Sequence, residues 1–176
     1  KITKEVTNAQ ANGKNNVTYT NIVLPKGSIV HNLSGGVFVE NEKLKEKYPE
    51  DHLIIYGRSL GSGFATKLAS DNNPRYLILD APYFNFKKVI QRFLPMLPIR
   101  LVLRYHLRSD QWLPNVRCHT YIIHGTKDRL IPFRHSVALQ QKNPHKTTLI
   151  RIEGGCHNNL PSFDEYHNFI RDMLKY

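Results

Sequence analysis

The chain has 176 residues, 40% hydrophobic and 22% charged, which suits one globular domain with a sizeable core. Its formal charge is +11, from 25 Lys and Arg against 14 Asp and Glu, a balance that favours anionic partners. No apolar run reaches the roughly 18 residues of a membrane span, no internal repeat is present, and no nucleic-acid motif accompanies the scattered basic residues.

Solvated surface charge is the default reading of the basic residues. Weak contact with an anionic membrane surface is the partner they allow, and no nucleic acid is expected. The two cysteines, Cys118 and Cys156, form neither a metal spacing nor a disulfide framework, so free thiols in a reducing compartment are expected. The expected location is cytoplasmic or membrane-associated. The first residue is Lys1 rather than Met, as in a trimmed or mature fragment.

Residues 1–28 hold strand-like runs of Thr, Asn, Val and Ile, and Asn12-Gly13 is a strong hairpin signal. An antiparallel edge hairpin ending at Pro25 is expected. Ser28-Ile29-Val30 reads as a clipped strand, His31 to Gly36 as a loop, and Asn41 to Tyr48 as a helical turn or two. Leu53 to Tyr56 reads as a short buried strand, and Ser62 to Ala69 as a helix closed by Asp71-Asn72-Asn73-Pro74. A second buried strand spans Tyr76 to Leu79, followed by irregular helix over 83–109, interrupted by Pro95 and Pro98. Thr120 to Ile123 is a third strand, Pro132 to Gln141 a helix with Pro in its first turn, and Thr147 to Ile152 a fourth strand. Ser162 to Leu174 closes the chain as a helix, with Ser162 and Glu165 as a capping box. Strands alternating with helices predict a mostly parallel sheet with helices on both faces, an α/β fold.

The chemistry gathers at strand ends. Gly57-Arg58-Ser59-Leu60-Gly61 joins the first buried strand to its helix as G-x-S-x-G, a nucleophile elbow. Small residues are expected to flank the serine at Gly57 and Gly61, where strand and helix backbones approach. The turn lifts Ser59 above the sheet edge and directs the Leu60 N–H at any oxyanion formed there. Asp128 follows the third strand; it reads either as an acid that orients an imidazole or as a turn-forming Asp bonding its own backbone. His157 follows Gly154-Gly155, which let the loop bend over the sheet; it reads as a general base or as a solvated surface ring. The order Ser59, Asp128, His157, each just after a strand, is that of an α/β-hydrolase triad and favours the catalytic readings. Turnover should then rise with pH as the ring loses its proton. His124, ending the third strand, reads as an orienter of the acid loop rather than a metal ligand. No metal or cofactor is expected.

GRSLGSG, HGTKDRLIP and GGCHNNL, in this order, resemble the BEM46-like branch of the α/β-hydrolase superfamily, near the alpha/beta hydrolase domain-containing 13 and 17 groups. The resemblance covers about residues 43–176. It implies a serine hydrolase with Ser59 as nucleophile, Asp128 as acid, His157 as base and the Leu60 N–H as an oxyanion donor. It also implies cleavage of an ester or thioester, including acyl chains on proteins, hence a small-molecule or acyl ester substrate.

Residues 1–42 depart from that pattern. The family carries an oxyanion loop, a helix, a further central strand and another loop before the elbow. Only residues 31–53 separate Val30 from Ile54, too few for these, since one crossover needs a dozen residues or more. The shortage predicts an interruption between about Ile29 and Lys43, through omission or deletion, with His31-Asn32-Leu33 as a remnant of the oxyanion loop. One domain over 1–176 is expected, atypical over 1–42 and catalytic over 43–176. Residues 93–107 mix apolar side chains with Arg100 and Arg104, and Arg108 follows. They read as a cap helix packed over the pocket, with anionic-lipid contact as the alternative. Two other functions stay open: an impaired binding or scaffold protein on this fold, and a serine peptidase on the same fold.

Overall fold

Four short apolar runs make one parallel sheet: β1 (Ile54–Arg58), β2 (Tyr76–Asp80), β3 (His119–Gly125) and β4 (Thr147–Ile152). The computed structural model describes residues 48–93 and 107–173. Strand order is β1-β2-β3-β4, each strand hydrogen-bonded to the next in sequence. The register sets Gly57 beside Leu79, Leu79 beside Ile122, and Ile122 beside Leu149.

The strands alternate their faces, and each face has its own core. Ile55, Leu77, Leu79 and Ile122 face α1 (Gly61–Asp71) and α4 (Arg134–Gln140), packing with Ala65, Leu68, Leu113 and Leu139. Ile78, Ile123 and Ile152 face the other way, onto Tyr166 and Ile170 of α5 (Asp164–Met173). Leu77, Leu79, Ile122, Ile123 and Ile152 are fully buried, and each such side chain contributes about 1.5–3 kcal/mol of transfer free energy. Neighbouring parallel strands joined in sequence send their crossovers to one side when the handedness is constant. Accordingly α1 and α4 share the first face, and α5, which follows the last strand, covers the second. Between β2 and β3 run α2 (Phe86–Phe93) and the short α3 (Ser109–Trp112).

The apolar runs marked the strands; β4 spans the residues expected, and β1, β2 and β3 run one or two residues further toward the site. β1 continues through Gly57 and Arg58, so the strand delivers Ser59 directly. The helix expected from Pro132 begins at Arg134, after a turn in which the His135 N–H donates to Pro132 O (2.9 Å). The expected capping box is absent. Ser162 lies in a 3₁₀ turn, Leu160–Ser162, and its hydroxyl donates to Asn159 O (2.7 Å) instead of capping α5. The hairpin at Asn12-Gly13, the strand at Ser28–Val30, the loop at His31–Gly36, the interruption between Ile29 and Lys43 and residues 94–106 of the cap lie outside the described residues.

Candidate active site

The elbow begins with a steric demand. A Cβ on Gly57 would sit 2.4 Å from Ala65 Cβ and 2.7 Å from Gly61 O, so β1 and α1 approach more closely than any larger residue allows. Gly61 differs from expectation: a Cβ there meets nothing within 4 Å. The tightness lies on the strand side of the serine, and Gly61 contributes only its backbone to it. Ser59 itself holds φ +49°, the left-handed region that non-glycine residues rarely adopt. Three hydrogen bonds fix the turn. The Ser59 N–H donates to Asp80 O (2.9 Å), and Ser59 O accepts from the Ser62 N–H (3.0 Å) and the Ser62 hydroxyl (2.6 Å). Such conformations cost about 1–3 kcal/mol and persist where the surroundings over-determine them.

The structure brings Ser59, His157 and Asp128 into one line. Ser59 Oγ lies 2.9 Å from His157 Nε2, and His157 Nδ1 lies 2.7 Å from Asp128 Oδ2. Because Nδ1 faces a carboxylate, it carries the ring proton and leaves the Nε2 lone pair toward the serine hydroxyl. Asp128 makes the contacts of both alternatives, one on each oxygen. Oδ1 accepts from the Leu130 and Ile131 N–H groups, both at 2.9 Å, as in a turn; Oδ2 faces His157. Asp128 is buried, which raises its carboxyl. The hydrogen bonds from His124, His157 and Ile131 outweigh that and hold it below the usual carboxylate range.

Two loops bear Asp128 and His157, and they meet backbone to backbone. A Cβ on Gly125 would lie 2.2 Å from Gly155 O, so no side chain fits between them. The Lys127 N–H donates to Gly155 O (2.8 Å), and the Thr126 N–H to Ile152 O (3.0 Å). Gly154 turns the His157 loop at φ +74°. His124 sits beneath Asp128, fully buried. Its Nε2 faces Asp128 Oδ2 (3.1 Å) and Ile131 O (2.8 Å), two acceptors, so Nε2 carries the hydrogen; Nδ1 pairs with the Ser136 hydroxyl (2.5 Å). The Leu60 N–H opens α1 beside the serine, where the positive end of the helix lies.

Arg58 and Asp80 were not singled out by the sequence. Arg58 Nη2 donates to His157 O (2.7 Å) and Asn158 Oδ1 (3.2 Å). Asp80 Oδ2 accepts from Tyr56 OH (2.6 Å) and Tyr166 OH (3.0 Å), with Arg58 Nε at 3.7 Å. The available signal was a carboxylate closing the buried run Tyr76-Leu77-Ile78-Leu79, beside a strand with Arg at its own end. Among the described residues, no group of His, Cys, Asp and Glu is arranged to hold a metal ion.

A parallel sheet wrapped on both faces, with an elbow at one strand end and histidine and carboxylate at two others, is the α/β-hydrolase fold. The chain is similar to alpha/beta hydrolase domain-containing protein aho-3 of Caenorhabditis elegans, 27% identical over 145 residues, 81% of this chain and 42% of that protein. It is also similar to alpha/beta hydrolase domain-containing protein 17C of Homo sapiens, 23% identical over 147 residues, 82% of this chain and 44% of that protein. The chain thus spans less than half the length of these curated relatives. Among solved structures, the Pyrococcus furiosus esterase Pf2001 superposes with a TM-score of 0.62 at 18% identity, over 79% of this chain and 59% of that one. No protein-family profile matches the chain.

Proposed function

We propose that the chain carries a serine-hydrolase centre that cleaves a carboxylic ester or thioester through an acyl-enzyme. The observation that carries this reading is the unbroken line from Ser59 Oγ through His157 to Asp128, at 2.9 and 2.7 Å. Ser59 Oγ attacks the carbonyl carbon while His157 Nε2 takes its proton. Asp128 stabilises the imidazolium and holds the tautomer. The tetrahedral oxyanion lies against the Leu60 N–H. Its collapse breaks the bond to the alcohol or thiol, which leaves with the proton from His157. Water then attacks acyl-Ser59, gives its proton to His157, and the acid departs as Ser59 recovers its hydrogen.

An acyl substrate fits the apolar flanks of the centre. Leu60 follows the serine, Leu130 lies two residues after the acid, and they are 48% and 44% exposed, large enough values to offer apolar contact. The deciding experiment combines a fluorophosphonate probe with p-nitrophenyl esters. Wild type should label at Ser59 and turn the esters over, and Ser59→Ala should do neither while melting as wild type does. Absent labelling and turnover would favour the impaired scaffold; cleavage of peptide anilides but not esters would favour the peptidase.

The reading includes one α/β-hydrolase domain over 1–176 and weak contact with an anionic membrane surface, supported by the +11 charge. Among the described residues no helix is long and apolar enough to cross a membrane. Co-sedimentation with vesicles that does not rise with their phosphatidylserine content would remove the membrane contact.

A further inference from the structure

We infer that Arg58 is a positioning residue: its guanidinium ties the loop bearing His157 to the strand bearing Ser59, and the buried Asp80 carboxylate anchors the guanidinium. The inference rests on the serine-hydrolase reading and adds how its nucleophile and base are held at their distance.

The base loop leaves β4 at Ile152 and bends through Gly154 and Gly155. Its backbone ties run chiefly to the neighbouring acid loop: Gly154 N–H to Thr126 Oγ1 (2.9 Å) and Lys127 N–H to Gly155 O (2.8 Å). These fix His157 relative to Asp128. They do not fix it relative to Ser59, which stands at the end of β1, with β2 and β3 between β1 and β4. Arg58 spans that gap. It precedes Ser59 in the strand, and its Nη2 donates to the carbonyl of His157 itself and to Asn158 Oδ1.

The other side of the guanidinium faces Asp80. At 3.7 Å from Asp80 Oδ2, Arg58 Nε is beyond hydrogen-bond range, so the attraction is ionic. The carboxylate is fully buried, and an unpaired charge there would be costly. Tyr56 and Tyr166 hydroxyls share its load. Burial pushes the Asp80 carboxyl up, against the hydrogen bond from Tyr56, the Arg58 charge and the bond from Tyr166. Asp80 also accepts the Ser59 N–H at its carbonyl (2.9 Å). One residue therefore holds the nucleophile by its backbone and the clamp on the base by its side chain.

The test compares wild type with Arg58→Met, Arg58→Lys and Arg58→Ala. Misplacing a base by about 1 Å costs about 10²-fold, so Arg58→Met should lose roughly 10- to 100-fold in kcat with KM changed less than about twofold. Arg58→Lys should recover part of kcat, because ammonium can reach one of the two acceptors but not both. Added guanidinium should partly restore Arg58→Ala, since the Arg58 side chain is 30% exposed and its place can be refilled. The histidine-ring ¹H–¹⁵N spectrum should show a displaced or broadened His157 Nδ1–H signal in Arg58→Met. Wild-type kcat in Arg58→Met overturns the inference. So does a loss that follows only the melting temperature, with neither guanidinium rescue nor a change at the ring. If wild type neither labels nor turns over esters, the serine-hydrolase reading falls, and the His157 signal alone still decides the role of Arg58.

Discussion

At Gly57 and Gly61 the same substitution has opposite consequences. A methyl on Gly57 collides with Ala65 and the Gly61 carbonyl, neither of which can move without parting β1 from α1. Gly57→Ala should destabilise by about 1–3 kcal/mol. Gly61→Ala meets open space, starts a helix, and should stabilise by up to about 1 kcal/mol. Urea unfolding of both variants checks the contrast; equal destabilisation would mean the elbow is tight on both sides. Asp128 gives a second prediction. Its carboxyl is held below its usual range in the fold, so the ionised form is favoured there over the unfolded chain. The resulting stability is fully present above the unfolded value, about pH 4, and is lost as pH falls through the lower folded value. Asp128→Asn should flatten that acid limb in urea melts between about pH 2 and 5, and should slow ester turnover by about 10⁴ through the wrong tautomer.

Among the elements, the crossover between β2 and α2 depends on a histidine in α4. The Phe84 N–H donates to His135 Nδ1 (3.1 Å), so the ring must be neutral at that nitrogen. Burial pushes His135 down to about 4, helped by the charges of Arg134, His124, Lys88 and Arg92. The folded value lies below the unfolded one of about 6.5. The contribution to stability is therefore complete above pH 6.5 and lost as pH falls from there through about 4. His135→Asn keeps an acceptor without a titrating ring, so its melting temperature should change less than wild type's across that range. Parallel slopes in thermal melts would refute the role. The elements also show what local pattern conveys. Tyr76 to Leu79 and Tyr121 to Ile123 are short unbroken apolar runs, and that suffices to mark β2 and β3. The cap of α5 was misjudged because the Ser162 hydroxyl takes a competing local bond, back to Asn159 O, instead of reaching forward into the helix.

For the molecule as a whole, the positions of Ser59, Asp128 and His157 were legible because each follows a recognisable strand in a parallel sheet, which puts all three at one edge. Arg58 and Asp80 were not legible, because their partners lie about the sheet rather than along the chain. Arg58 meets His157 across 99 positions, and Asp80 meets Tyr166 across 86. Nothing in Gly57-Arg58-Ser59 distinguishes an arginine that reaches the base loop from one left in water. Nor could the capacity of Asp128 to serve a turn and an imidazole together be read from Lys127-Asp128-Arg129. It depends on which oxygen faces His157, a property of the folded loop pair.

The separation of Ser59 and His157 along the chain also orders events in time. The serine and the histidine lie 98 positions apart, and synthesis at about 5–20 residues per second places about 5–20 s between them. On the proposed serine-hydrolase reading, the growing chain carries throughout that interval an elbow serine with no proton acceptor, and so no competent nucleophile. On that reading, reactivity arrives only after β4 is made and its loop has crossed back to β1. A nascent chain stalled before Gly154 should ignore a fluorophosphonate that the released chain accepts, which makes the probe a clock for completion of the sheet.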